Sequence, residues 1–174
     1  MFDLAKLVGI EIKGQFLRNP EGVENSIKSL EASLEDYSPE EAKQKRIEIE
    51  RSGKPYDFSL RVFYADFSTG LFVAGCKDDF GIAGVLGLIK PPEGIYAGTI
   101  AFQKSYPRGE NSFLGRGGER AERIFKDNLR QIFYSGQHWL NSENAFGAEG
   151  EYLSDGLNYL GGGGTWKMSA KISH

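Results

Sequence analysis

From Pro55 to its end the chain alternates apolar and polar residues in short runs, and most runs stop at a cluster of Gly, Pro, Asp, Ser or Thr. A period of two sends successive side chains to opposite faces, so the pattern selects strands with one apolar face. The last run is the clearest: Trp166, Met168, Ala170 and Ile172 share one face, while Thr165, Lys167, Ser169 and Lys171 share the other. Before it come residues 56–67, 71–76, 80–89, 96–104, 130–138 and 145–152, divided by turns such as Ser68-Thr69-Gly70 and Lys77-Asp78-Asp79. Residues 8–16 add an opening strand that alternates from Val8 to Ile12, loses the pattern at Gly14 and ends near the turn signal Asn19-Pro20. The count is eight strands, expected to be antiparallel because polar, Gly-bearing turns join most of them as hairpins. At that number an up-and-down sheet can close on itself, hide its edges and leave room for side chains or one small ligand. An open sandwich of two sheets is the structural alternative.

One segment follows a different period. Across residues 23–53, Val23, Ile27, Leu30 and Leu34 recur at helical spacing. Ser38-Pro39-Glu40-Glu41 then has the form of a capping box with proline at the first helical position. The helix it starts should end at Ser52-Gly53, with Pro55 preventing continuation. The segment therefore reads as two helices, or one broken near Tyr37, inserted after strand one and lying on the barrel or closing one end. A second interruption spans residues 106–128. Its loop should lead into a short helix between strands five and six, where Glu119 and Arg123, and Glu122 and Lys126, stand as i,i+4 pairs.

Composition narrows the function classes. At 174 residues the chain suits one domain, residues 1–174, with the helical insertion inside it. A net charge of −3 supplies no basic footprint for nucleic acid. No run of 18 apolar residues predicts a membrane span, and no basic leader precedes the first strand. The single Cys76 has no partner for an internal disulfide, which suits a reducing compartment, so a cytoplasmic location is expected. Glycine is abundant at 23 residues and aromatics reach 13%, a pairing expected of tightly turned sheets.

Four stretches have a recognisable grammar: Asp79-Phe80-Gly81-x-Ala83-x-Val85-x-Gly87; Gly98-Thr99-Ile100-Ala101-Phe102-x-Lys104-x-Tyr106; Ile132-x-Tyr134-x-Gly136; and Gly164-Thr165-Trp166-x-Met168. Over about residues 72–172 this resembles the strand pattern of poorly characterised lipocalin-like, or calycin-like, barrel domains. The resemblance implies a mainly β fold: an eight-stranded antiparallel up-and-down barrel of calycin type. It also implies a small, often apolar ligand held inside. Two departures stand out. The lipocalin Gly-x-Trp lies on the first strand, whereas Gly164-Thr165-Trp166 lies on the last, and the helical insertion after strand one is atypical. No haem-ligand motif is present, so the ligand class does not carry over.

Tyr64, Lys104, Tyr134 and Trp166 fall on inward-facing positions, and with Phe102 they outline a candidate cavity. Polar-tipped aromatics around an apolar interior suit ligand recognition, and equally suit a barrel filled by its own rings. His138, the one histidine away from the C-terminus, shares a face with Ile132 and Tyr134 and is a candidate ligand contact or a structural residue. It has no neighbouring Cys or second His for a metal and no nucleophile nearby in sequence. Cys76 beside Lys77 is either an activated thiol or a passive small residue. The Asp-Phe-Gly at residues 79–81 lacks any kinase context, and neither Gly115-Arg116-Gly117-Gly118 nor the glycines at 161–164 form a phosphate loop. No catalytic, metal or cofactor constellation is legible. The expectation is a non-enzymatic barrel binding a small, partly apolar ligand through Tyr64, Phe102, Lys104, Tyr134, His138 and Trp166. The alternative is a protein-interaction or regulatory module with a filled barrel, working through the helical insertion or a homodimer interface.

Overall fold

A computed structural model describes residues 4–66, 68–79, 81–91, 98–106, 131–140, 145–154 and 163–172. Its strands are β1 (Glu11–Arg18), β2 (Tyr56–Ala65), β3 (Leu71–Asp78), β4 (Gly81–Lys90), β5 (Gly98–Ser105), β6 (Gln131–Leu140), β7 (Ala145–Ser154) and β8 (Gly163–Lys171). Each pairs antiparallel with the next, and β1 also pairs with β8, so the eight strands form a closed barrel. Closure satisfies every strand with two neighbours and leaves no edge to template aggregation.

The insertion comprises α1 (Pro20–Ala32) and α2 (Pro39–Ser52), joined by a short 3₁₀ turn at Leu34–Asp36. Ser38 makes the expected capping box with Glu41. The start of α1 differs from expectation. Asn19-Pro20 is no free turn: the Asn19 side chain accepts from the Glu21 N–H and Pro20 opens the helix, whose first turn needs no proline N–H. The buried face of α1 is Gly22, Ser26 and Leu30, not the Val23-Ile27-Leu30-Leu34 row, and Leu34 is exposed. Arg18 explains that choice. At the end of β1 its guanidinium donates to the Ser52 hydroxyl, the Gly22 carbonyl and the Ser26 hydroxyl, at 2.8, 2.9 and 2.8 Å. The helical hairpin is thus tied to the barrel by a polar clamp that needs small residues facing it. The helix expected over residues 119–126, the loop before it, Phe80 and glycines 161 and 162 lie outside the described residues.

Strand one begins later than its alternation implied. Val8 makes only an isolated bridge to Val62 before β1 starts at Glu11. The lapse at Gly14 has a packing cause: a Cβ there would strike the Phe58 ring, which fills the space a side chain would take. Gly98 repeats the device under His138, whose imidazole occupies the place of a Cβ. The coupled excess of glycine and aromatics is therefore partly a lock: rings seated over inward glycines fill a narrow barrel, alternating large with small.

The barrel has two unlike ends. At one, the 3₁₀ turn Leu4–Leu7 inserts Leu7, which is 1% exposed, against Ile12, Phe72, Ile100, Phe146 and Met168. A gap of about 10 Å³ remains there, no more than the space of a single water. The other end carries the helical hairpin, the β3–β4 turn and a cluster of aromatic and charged side chains.

Candidate functional site

The hairpin end is assembled from inward positions near the ends of β3 and β5 and the starts of β6 and β8. Alternation along β5 turns Ile100, Phe102 and Lys104 inward, and Tyr106 just beyond it is buried as well. Along β3 the inward row of Phe72, Ala74 and Cys76 ends in Asp78, whose side chain is fully buried. Lys104 Nζ lies 2.7 Å from Asp78 Oδ2, and the Tyr106 hydroxyl donates to the same oxygen at 2.5 Å. The Tyr134 hydroxyl also bonds Lys104. The ammonium stands 5.0, 5.2 and 5.5 Å from the ring centres of Phe16, Tyr106 and Tyr134, within cation–π range.

This environment sets the charges. Burial opposes the Lys104 cation, but Tyr134, Tyr106 and Asp78 together outweigh it and hold its pKa well above the ordinary lysine value. Lys104 is therefore a fixed cation and a poor nucleophile. Burial raises the Tyr106 and Tyr134 phenols, so both stay protonated: Tyr106 donates to Asp78, and Tyr134 accepts from the Lys104 ammonium. Burial also pushes the Cys76 thiol up to about 12, against the pull of Lys104, which makes it a passive core residue. At the rim, burial raises Tyr152 to about 12, and the Arg18 clamp stands near Tyr152 and Tyr56.

Three of the residues expected to form a ligand site are brought together around Lys104. Phe102 and Tyr134 stack at 4.5 Å between centroids, and Trp166 meets Phe102 edge-on at 5.3 Å while its indole donates to the Glu151 carbonyl. These rings touch one another, so they fill the space between them. Tyr64 is not among them. A β-bulge between Val62 and Tyr64 adds one residue to β2, reverses the facing beyond it and puts Tyr64 on the outer wall at 53% exposure. His138 points inward but towards the Leu7 end, fully buried, with Nε2 2.6 Å from the Lys90 carbonyl, to which it donates, and its ring near Phe146. Burial depresses its pKa, partly offset by that hydrogen bond.

Asp78 and Tyr106 are the residues that sequence reasoning missed. Asp78 stood in a run that reads as a turn, yet its inward facing continues the Phe72-Ala74-Cys76 alternation by one step. Among the described residues no three His, Cys, Asp or Glu side chains are grouped to hold a metal ion, and no helix is long and apolar enough to cross a membrane. Compared with known proteins, the chain matches no family model, no curated protein and no solved structure.

Proposed function

We propose that the barrel is a non-enzymatic binding module for a small, partly apolar ligand, received at the hairpin end. The observation that carries this is the Asp78–Lys104 pair, capped by Tyr106 and Tyr134, at one end of a largely apolar interior. Desolvating two charges costs several kcal/mol per ion, and well-packed apolar residues commonly serve stability as well or better. An apolar surround with a few placed polar groups is what small-molecule recognition requires. The ligand's apolar body would lie against Phe16, Tyr56 and Tyr152, with an acceptor group turned towards Lys104. The calycin-like strand pattern supports the same reading, since such barrels hold small ligands inside. The lone, buried Cys76 fits the cytoplasm.

A second reading, a filled barrel that acts as an interaction module, is favoured by the rings seated over inward glycines. Native mass spectrometry of protein purified from its own host, beside the denatured chain, separates the two. Binding predicts a stoichiometric small-molecule mass that Lys104→Met loses while its far-ultraviolet circular dichroism stays that of a β-barrel. A bare chain mass, together with no thermal shift from an anionic apolar probe such as anilinonaphthalene sulfonate, would establish the filled module instead.

A further inference from the structure

The helical hairpin is joined to the barrel by very little apolar surface. α2 buries no residue, and α1 buries only Gly22, Ser26 and Leu30. Among the described residues no apolar side chain of either helix belongs to the barrel's core or packs on it. The helices hold each other instead: Val23 covers Gly53, where a Cβ would meet it at 3.4 Å, and Arg46 pairs with Glu31 at 3.4 Å on the exposed side. A single guanidinium ties the pair to the barrel. Arg18 Nη1 donates to Ser52 at the end of α2, and Nη2 donates to Gly22 and Ser26 in the first turns of α1. These three acceptors are neutral. The chain enters the hairpin through Asn19 and leaves it through residues 53–55, so both hinges stand at the rim beside the clamp.

We infer that Arg18 is a ligand-operated latch: an acid group on the ligand takes its guanidinium from the hairpin, so that filling the site frees α1 and α2 as one body. This rests on the ligand reading above and deepens it, naming the ligand as an apolar body with one acid group. The first argument is position. Partly buried Arg18 stands beside Tyr56 and Tyr152, whose rings flank Phe16 at 5.2 and 5.9 Å and receive the ligand's apolar body in that reading. The second is charge. Lys104 already has Asp78 at 2.7 Å, so an acceptor turned towards it needs no charge, and an acid there would also meet the Asp78 carboxylate. The hairpin offers Arg18 two hydroxyls and a peptide carbonyl. A carboxylate or sulfonate offers the same guanidinium two parallel N–H···O bonds and an opposite charge, which is the stronger match. With no apolar side chain of the helices on the core, little among the described residues resists the exchange. The coupling is reciprocal, so whatever loosens the hairpin tightens the ligand by the same factor.

Hydrogen exchange read by mass spectrometry tests it, with anilinonaphthalene sulfonate as the acid-bearing apolar probe. Saturating probe should speed exchange in α1 and α2 at least about fivefold and leave the strands unchanged or slower. Ser26→Ala combined with Ser52→Ala removes two of the hairpin's three acceptors and keeps the guanidinium, so the probe should bind about tenfold tighter. Arg18→Gln should bind it at least about tenfold more weakly, with fast hairpin exchange whether or not probe is present. Each variant should keep the far-ultraviolet circular dichroism of the wild type. A probe that binds and slows hairpin exchange, or leaves it unchanged, overturns the latch alone. So does a serine double variant that binds no tighter. A wild type that binds no probe overturns the latch, and with a bare chain mass in native mass spectrometry it overturns the ligand reading as well.

Discussion

At the end closed by Leu7 the interior is aliphatic and aromatic, the one inward polar side chain among the described residues is His138, and that histidine donates to the Lys90 carbonyl. At the end under the helical hairpin the same strands, four to six residues away along their alternation, bury a lysine, an aspartate and a group of tyrosines. Closure and register are common to both ends, so the barrel itself does not require the charges. Packing alone closes a narrow barrel, as the Leu7 end shows. The hairpin end holds desolvated charge beyond what closure needs, and that difference is why the candidate site is placed there.

The contrast between the two ends rests most heavily on Asp78. Asp78→Ala leaves the Lys104 ammonium buried without its counter-ion and should cost ~3–5 kcal/mol in urea unfolding. The double variant Asp78→Leu, Lys104→Met should recover most of that loss or exceed wild type by ~1–4 kcal/mol. A double variant as unstable as the single would mean that the pair holds the fold together, and the contrast between the ends would collapse. At the Leu7 end the comparable weakness is steric. Gly98→Ala drives a methyl into His138 and should cost ~1–3 kcal/mol, whereas Gly84→Ala, opening on free space, should leave the midpoint near wild type.

Smaller effects sharpen the picture. Arg18→Ala removes the clamp and should loosen the helical hairpin by ~1–2 kcal/mol. Hydrogen exchange should show it as faster exchange in α1 and α2, with β4 and β5 unchanged. Faster exchange throughout the barrel would instead make the hairpin part of the core. The last effect is one of pH. His138 has a folded pKa below its ordinary 6.5, so below that pH the unfolded chain binds the proton first. Stability should fall as pH drops below about 6.5 and level off once the folded form also takes the proton. His138→Gln should remove that part of the slope; an identical slope in the variant would show that other groups carry it.

Strand existence and antiparallel order were legible because period-two alternation is local and repeats in nearly every run. The capping box at Ser38 was legible for the same reason, since all its atoms lie within four residues. Phe102, Lys104, Tyr134 and Trp166 were placed inward correctly from alternation alone. Tyr64 was not, because a bulge inserts one residue and inverts the facing after it, and no local residue preference marks Val62-Phe63-Tyr64 as the place. Asp78 escaped because an acidic residue beside another at a strand end reads as a solvated turn. Its burial depends on Lys104, 26 residues away. The buried face of α1 escaped because Arg18, not an apolar stripe, decides which side faces the barrel.

The sequence by itself determined that this chain makes eight short strands interrupted after the first by a capped helical pair, since both signals are periodicities read within a few residues. The tertiary structure alone decided which end is plugged and which is charged. It decided that rings occupy the places of missing side chains at Gly14 and Gly98, and that Asp78, Lys104, Tyr106 and Tyr134 meet. Those contacts join strands distant in the chain. Their partners are selected by barrel closure and register, which no local pattern encodes.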